Sequence, residues 1–420
     1  MGSSAELPRD KGDEEIMDKH VICFNGGSSS IKVAVKKVDG NKVESVVDFN
    51  CQGLGTADGY IDVKMDGNKE KLEMPMDDHS SALHALTEII GDRFPDLNIV
   101  AAGHRCVHGG PSITDSVLID GPDGKITGFL KEYSALAPLH NPANLQIVQA
   151  ALADPVFGKV PNTGIFDTQF HARMPEYAKY YAVPKSWIED HNIMRYGFHG
   201  ASYTFISKRF AELNGLSDAD NNLVIAHLGN GCSMAKVVAG IGADTTMGTT
   251  PLEGLVMGTR SGDLDPGVLE LMANKLNTNI TEIVRILNKE SGLYGLYNKD
   301  GIKEMHFIRQ AALEGDKEAE LVLEIAAYRV AKYFSSYLGT LDSPKGIVFT
   351  GGIGENEGYF RSKVFGFMKL FNWKIDETAN ATRSEECIVA ESGTISGLKA
   401  WVIPTDEEKV FALEAMRYVK

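Results

Sequence analysis

Apolar side chains along this chain recur with two periods, and the changes between them divide it into strands and helices. Residues 21–24 form an unbroken apolar run, and 31–38 and 43–50 alternate apolar with polar side chains, the period of a half-buried strand. Residues 60–76 alternate in the same way on both sides of Asp66-Gly67-Asn68, which predicts a hairpin. The period then lengthens. Leu83, Leu86, Ile90 and Phe94 stand three or four residues apart and predict a helix over 80–94, after which 98–103 returns to a buried strand. Helical spacing recurs over 141–153, 201–214 and 317–341, the last with apolar positions at Leu321, Ile325, Val330 and Phe334. A short helix is predicted over 407–418, with Thr405 or Asp406 as its cap. Strands alternating with helices in this way predict an α/β fold with mixed pairing.

The breaks between these elements carry the candidate chemistry. Asn25-Gly26-Gly27-Ser28-Ser29-Ser30-Ile31-Lys32 joins two strands and reads as a phosphate cradle. Its glycines let the backbone approach an anion closely, its hydroxyls and loop N–H groups donate to phosphate oxygens, and Lys32 adds a positive charge. The Gly-x-x-x-x-Gly-Lys-Ser/Thr spacing of a Walker A loop is absent. Residues 223–238 repeat the layout, with the turn His227-Leu228-Gly229-Asn230-Gly231-Cys232-Ser233 between two apolar runs, and so predict a duplicated core with one unit in each half. A third glycine turn, Thr350-Gly351-Gly352-Ile353-Gly354-Glu355-Asn356, follows the strand 346–349. Three cradles on strand ends suit one polyphosphate held between two domains, whose boundary is expected at a compact hinge near 154–170.

Composition narrows the function classes. At 420 residues, 43% hydrophobic and 24% charged, the chain has the material for two globular domains. A net charge of -15 with no basic block argues against nucleic acid as a partner, so anionic ligands must be held by local cations. The five cysteines, Cys23, Cys51, Cys106, Cys232 and Cys387, are odd in number and form no Cys-x-x-Cys pair, as expected of buried thiols in a reducing compartment. Residues 1–19 are acidic, lack an apolar core and read as a mobile tail rather than a targeting segment. No apolar run reaches the length of a membrane span, and a cytosolic location is expected. His104 and His108 have zinc-ligand spacing, but Gly109-Gly110-Pro111 follows at once without an accompanying Glu, and a zinc site is rejected.

Taken together, the motifs resemble one family. Residues 25–32, His104 to Gly110, Ala137-Pro138-Leu139-His140-Asn141-Pro142, Phe166-Asp167-Thr168, Tyr196-Gly197-Phe198-His199-Gly200, 227–233, Asp244 to Gly254, Thr259-Arg260-Ser261-Gly262-Asp263-Leu264-Asp265-Pro266, 351–356 and Pro404-Thr405-Asp406-Glu407-Glu408 occur in the order found in acetate kinases. These are members of the actin, Hsp70 and sugar kinase superfamily. The resemblance implies a duplicated ribonuclease-H-like fold of two domains with the active site in the cleft between them. The N-terminal domain would comprise 20–165, completed by the helix 405–420, and the nucleotide-binding domain 166–404. The implied reaction is reversible phosphoryl transfer from ATP to acetate, giving acetyl phosphate and ADP, in a homodimer using Mg2+, with Mn2+ able to substitute.

The resemblance also implies residue roles. Arg260 contacts the transferring phosphoryl, Arg105 holds the acceptor carboxylate or the same phosphoryl, and His199 donates to an equatorial oxygen. Acetate is already ionised at neutral pH and needs no general base, so Asp167 is better cast as an orienter of an arginine or an outer-shell partner of the metal. Asn25 and Glu407 match the Mg2+ positions, which requires the C-terminal helix to fold back beside the N-terminal domain. Val107, Leu139, Phe198 and Pro251 line the methyl pocket. Nucleotide and phosphate fall to Ser28, Ser30, Lys32, His227, Leu228, Gly229, Asn230, Gly231, Lys303, Gly352, Ile353, Gly354, Glu355 and Asn356.

Several residues depart from the family pattern. Gly26 and Gly258 stand where alanine and proline are commoner, Thr249 replaces a phenylalanine, and Ala201 and Tyr203 replace threonine and histidine. Asn298-Lys299-Asp300-Gly301-Ile302-Lys303 takes the place of Ser-Asp-x-Arg, with Lys303 standing in for an arginine whose stacking and paired bonds it lacks. Two other readings therefore stand beside the first: a pyrophosphate-linked enzyme with an unused adenosine pocket, and a nucleotide-gated switch without acyl transfer.

Overall fold

The computed structural model describes residues 18–420 except Ser28, Pro138, Leu139, Asp300 and Lys303. The tail over 1–17 and the roles expected of Ser28, Leu139 and Lys303 thus lie outside the described residues.

Two sheets dominate the molecule. The first contains β1 (Lys19–Gly26), β2 (Ser30–Asp39), β3 (Lys42–Gln52), β4 (Tyr60–Met65), β5 (Asn68–Glu73), β6 (Ile99–Cys106), β7 (Val117–Leu118) and β8 (Asn162–Phe166), in the order β5-β4-β3-β2-β1-β6-β8-β7. The second contains β9 (Leu223–Leu228), β10 (Cys232–Val238), β11 (Ile241–Thr245), β12 (Gly346–Thr350), β13 (Trp373–Ile375), β14 (Cys387–Ser392) and β15 (Lys399–Val402), in the order β11-β10-β9-β12-β15-β14-β13. Five strands of each match in sense: β3-β2-β1 and β11-β10-β9 are antiparallel, while β1-β6-β8 and β9-β12-β15 are parallel. This is the duplication expected from the two glycine hairpins, and it gives a two-domain α/β fold. The parallel strands are buried on both faces by helices, which is why β12 is unbroken Gly-Ile-Val-Phe-Thr rather than alternating.

Two elements differ from expectation. Residues 350–356 are not a turn: after β12 the chain enters a short helix, Gly351–Asn356, at once. In the helix Lys317–Gly339, Val330 and Phe334 face the core with Val322, Leu323, Ala326 and Ala327, whereas Leu321 is 55% exposed and Ile325 36%. Apolar side chains surround most of this helix, so spacing alone did not select a face. The buried face carries Ala319, Ala326, Ala327 and Ala331, and the helix packs against its neighbour Gly358–Phe367.

The C-terminal helix Glu407–Met416 packs on the first sheet. Asp406 caps it by accepting from the Lys409 N–H at 2.9 Å. Phe411 and Val410 join Val21, Cys23 and Ala101 in one buried cluster, and a Cβ on Gly103 would lie 2.9 Å from the Phe411 carbonyl oxygen. All five cysteines are free thiols, four of them buried.

Candidate active site

Parallel pairing of β6 with β8 sets the first charged pair. Arg105 leaves the end of β6, Asp167 follows β8, and the Asp167 N–H donates to the Cys106 carbonyl at 2.9 Å. The guanidinium then meets the carboxylate with two bonds, Nε to Oδ1 at 3.0 Å and NH2 to Oδ2 at 2.8 Å, while NH1 donates to Asn25 Oδ1 at 3.1 Å. Burial alone would weaken the Arg105 charge, but the adjacent carboxylate outweighs it and holds the guanidinium pKa above its ordinary value. Asp167 is 4% exposed at its side chain.

Glu407 opens the C-terminal helix close to this pair. Burial raises its pKa to about 7 against the pull of Arg105. Its carboxylate makes no hydrogen bond or ion pair among the described residues. Glu407 lies near Arg105, whose guanidinium bonds Asn25, and a carboxylate and an amide oxygen are donors of the kind that suits a hard cation keeping most of its waters. Lys32 points outward from β2, exposed.

His199 sits in the left-handed region at φ 60°, immediately before the helix Gly200–Asn214. Such backbone is costly for a side chain bearing a Cβ and persists where neighbours enforce it. Here the Gly200 N–H donates to the Asp167 carbonyl at 2.9 Å, and any Cβ on Gly200 would collide with that oxygen. The His199 ring stacks on His227, with centroids 4.3 Å apart and planes 20° apart. Its Nδ1 bonds Ser233 Oγ at 2.7 Å, and His227 Nδ1 bonds Ser202 Oγ at 2.8 Å. Burial holds the His199 pKa well below its ordinary value and brings that of His227 down to about 4, so both rings are neutral.

Gly231 joins His199 to Arg260. A Cβ on Gly231 would lie 3.3 Å from His199 Nε2 and 3.6 Å from Arg260 NH1. Arg260 is half-buried and donates to the Pro251 carbonyl at 3.1 Å, with no carboxylate partner among the described residues. Burial lowers its pKa. An uncompensated guanidinium facing a glycine turn beside a neutral imidazole is built to receive an anion.

The second cradle opens on a cavity of about 550 Å3. Gly229, Asn230, Gly352, Ile353 and Asn356 line it, as expected of nucleotide residues. Gly354 and Glu355 do not: Glu355 Oε1 accepts from the Gly351 N–H at 2.9 Å and the Thr405 N–H at 3.2 Å, bracing its own helix against the C-terminal segment. The Gly354 carbonyl accepts from the fully buried Arg361 at 2.7 Å, and burial lowers that guanidinium's pKa to about 10. Leu228 is core, 1% exposed. Sequence reasoning missed Arg361 and the cavity residues Leu293, Met305, His306 and Arg383, which carry no glycine motif.

Of the residues expected to line an acceptor pocket, Val107 and Phe198 share one buried cluster, and Pro251 contributes a carbonyl that accepts from Arg260. His104 and His108 turn to different partners, Asn162 Oδ1 at 2.7 Å and the Thr249 carbonyl at 3.2 Å, and no group of three or more metal-ligating side chains exists among the described residues. With His171 they are buried and neutral, each with its pKa pushed down to about 4. The unfolded chain binds these protons near pH 6.5, so each histidine's contribution is intact above that and lost as pH falls toward 4. Stability should drop by about 1.4 kcal/mol per pH unit per histidine in that window, as read from urea midpoints between pH 7 and 4.5.

Two departures find a packing reason. The Ile147 side chain occupies the space that an alanine methyl at Gly26 would need, and the Gly258 N–H donates to the Asn230 carbonyl at 3.2 Å, a bond proline cannot make. Gly26→Ala is expected to cost about 1–3 kcal/mol in denaturant unfolding. Adding Ile147→Val should recover much of that loss.

The signature of the Acetokinase family matches residues 20–413. The acetate kinase of Thermosipho melanesiensis is 40% identical over 412 residues, covering 95% of this chain and 98% of that protein. That of Shewanella loihica is 41% identical over 412 residues, covering 96% and 100%. Among solved structures, a propionate kinase from Francisella tularensis superposes with a TM-score of 0.87 at 35% identity, covering 95% of this chain and 99% of that one. Acetate kinase from Porphyromonas gingivalis gives 0.86 at 33% identity, covering 96% and 100%. With the family signature and relatives of this identity spanning nearly the whole chain, the protein belongs to the acetokinase family.

Proposed function

We propose that this protein transfers the γ-phosphoryl group of ATP to acetate, reversibly, giving acetyl phosphate and ADP. One observation carries the reading: Arg260, half-buried with no carboxylate partner among the described residues, faces Gly231 beside a neutral His199, next to the cavity that Gly229 and Asn230 line. The polyphosphate of a nucleotide seated in that cavity runs toward both side chains. A carboxylate oxygen of acetate attacks the γ-phosphorus as the bond to the β–γ bridging oxygen breaks, and the electron pair leaves with ADP. No proton is removed from acetate, so the residues have only to position and neutralise. Arg260 takes the equatorial oxygens, His199 donates to one of them, and Arg105, locked by Asp167, takes the acceptor from the opposite side. Asn25 and Glu407 would hold Mg2+, which when bound would supply charge neutralisation to the polyphosphate. Val107 and Phe198 bound the acceptor's methyl group. One methylene is worth about 1–3 kcal/mol in such a pocket, so propionate should react less well but measurably.

The open cavity favours a nucleotide over pyrophosphate as the donor. Gly352 has nothing within 4 Å of the position its Cβ would take, so Gly352→Phe should fold normally and fill the cavity. The KM for ADP is expected to rise at least about tenfold, since burying a drug-sized ligand is what the cavity provides. Among the described residues no helix is long and apolar enough to cross a membrane. Exposed Tyr328 and Phe367, in contact at 5.3 Å between ring centroids, lie with Leu321 and Ile325 on one surface and support a homodimer.

Two coupled assays with Mg2+ test the reading: acetyl phosphate plus ADP scored for ATP, and acetyl phosphate plus orthophosphate scored for pyrophosphate. ATP alone is expected. Pyrophosphate alone would replace the donor, and neither product would sink the assignment.

A further inference from the structure

We propose that Tyr203 is a positioning residue that sets the tautomer of His199, forcing the ring proton onto the Nε2 that faces Gly231 and Arg260. The inference rests on the phosphoryl-transfer reading only for its kinetic consequence. Tyr203 lies on the helix Gly200–Asn214, 0% exposed, and its hydroxyl has one partner among the described residues, Ser233 Oγ. Among the described residues Ser233 Oγ in turn bonds only Tyr203 and His199 Nδ1, the latter at 2.7 Å. The three groups form a closed chain with two hydroxyl hydrogens and one imidazole hydrogen to place.

Only one arrangement satisfies all of them. If Nδ1 carried the ring proton, it would donate to Ser233, Ser233 would donate to Tyr203, and the phenolic hydrogen would have no bonded acceptor among the described residues. Stranding a buried donor costs about 1–3 kcal/mol. In the other arrangement Tyr203 donates to Ser233, Ser233 donates to Nδ1, and the neutral ring carries its proton on Nε2. Burial keeps both the phenol and the imidazole in their neutral forms, so neither escapes by ionising. A second chain repeats the device on the stacked ring: Thr405 Oγ1 donates to Ser202 Oγ at 2.9 Å, and Ser202 meets His227 Nδ1 at 2.8 Å. Consecutive residues, Ser202 and Tyr203, thus serve the two histidines, and each ring offers Nε2–H to the glycine cradle without carrying a positive charge. A fixed neutral donor aimed where charge develops needs no reorganisation when the phosphoryl group passes.

The test is nitrogen NMR on the resting full-length protein labelled with 15N-histidine at pH 7.5, with His199 assigned by loss of its signals in His199→Asn. The expected spectrum shows a protonated Nε2 and an unprotonated Nδ1. Tyr203→Phe, which keeps the buried ring, should shift both resonances toward a tautomer mixture and lower kcat about fivefold to tenfold, with KM for ADP and acetyl phosphate unchanged within twofold. Ser233→Ala should remove the preference altogether. A protonated Nδ1 in the wild type, or a Tyr203→Phe variant with unaltered tautomer and kcat, would overturn the proposal. The expected tautomer in a protein that forms no ATP would support the relay and instead defeat the kinase reading.

Discussion

Arg260→Ala is expected to lower kcat for ATP formation by about three orders of magnitude or more, the scale on which an arginine acts at a transferring phosphoryl group. Nucleotide affinity, read by calorimetry with ADP, should stay within a few-fold. The split follows from position. Arg260 lies at the Gly231 turn with His199, whereas the surfaces around Leu293, Ile353 and Asn356 that would receive the nucleoside do not include it. In the resting protein its guanidinium bonds a carbonyl and no carboxylate, so truncation breaks no ion pair among the described residues. Stability should therefore change little, and the loss of turnover would report missing transition-state charge. Arg260→Lys should recover only part of the rate, because an ammonium cannot span two equatorial oxygens. Turnover unaffected by Arg260→Ala would remove this side chain from the chemistry.

The second large effect is on folding. Asp167→Ala leaves the Arg105 guanidinium, 22% exposed, between Asn25 and the vacated carboxylate position, and breaking a fully buried pair from one side costs about 3–5 kcal/mol, the upper bound here. Urea unfolding should report a loss of up to that size, and what remains folded should bind acetate poorly because Arg105 is no longer held. Asp167→Asn, which keeps one acceptor oxygen, should lose less stability but most of the activity. A loss below about 1 kcal/mol would make the pair no stronger than a solvated surface ion pair and would contradict the burial.

Much of the fold was legible from period alone. The hairpins β1-β2 and β9-β10 and the helix Asn141–Ala153 lie where alternation and three-to-four spacing put them, because one face of each meets a core and the other does not. The reading weakened where that contrast vanished. Residues 350–356 read as a turn because Gly351, Gly352 and Gly354 are turn formers, yet Glu355 accepts from the first N–H of a helix there, that of Gly351, and Arg361 ties down the Gly354 carbonyl. Nothing local marks either bond. Leu321 and Ile325 were expected inward for the same reason, since a helix apolar on most sides has no preferred face until a neighbour packs against it.

The candidate site divides along the same line. Residue types decide the chemistry on offer: glycine and hydroxyl cradles for phosphate, arginines for oxyanions, an amide and a carboxylate for a hard cation. Those are properties of side chains and were readable as such, helped by motif order along the chain. What only the tertiary structure decided is which of them meet. Arg105 and Asp167, 62 residues apart, are joined by the register of two parallel strands, and Glu407 reaches them because the last helix folds back onto the first sheet. The direction of the His199 proton depends on two hydroxyls from different elements, brought together by packing. Charge and hydrogen-bonding capacity are written residue by residue, but pairing, desolvation and tautomer depend on distances of a few ångströms between segments remote in sequence, which the folded core alone sets.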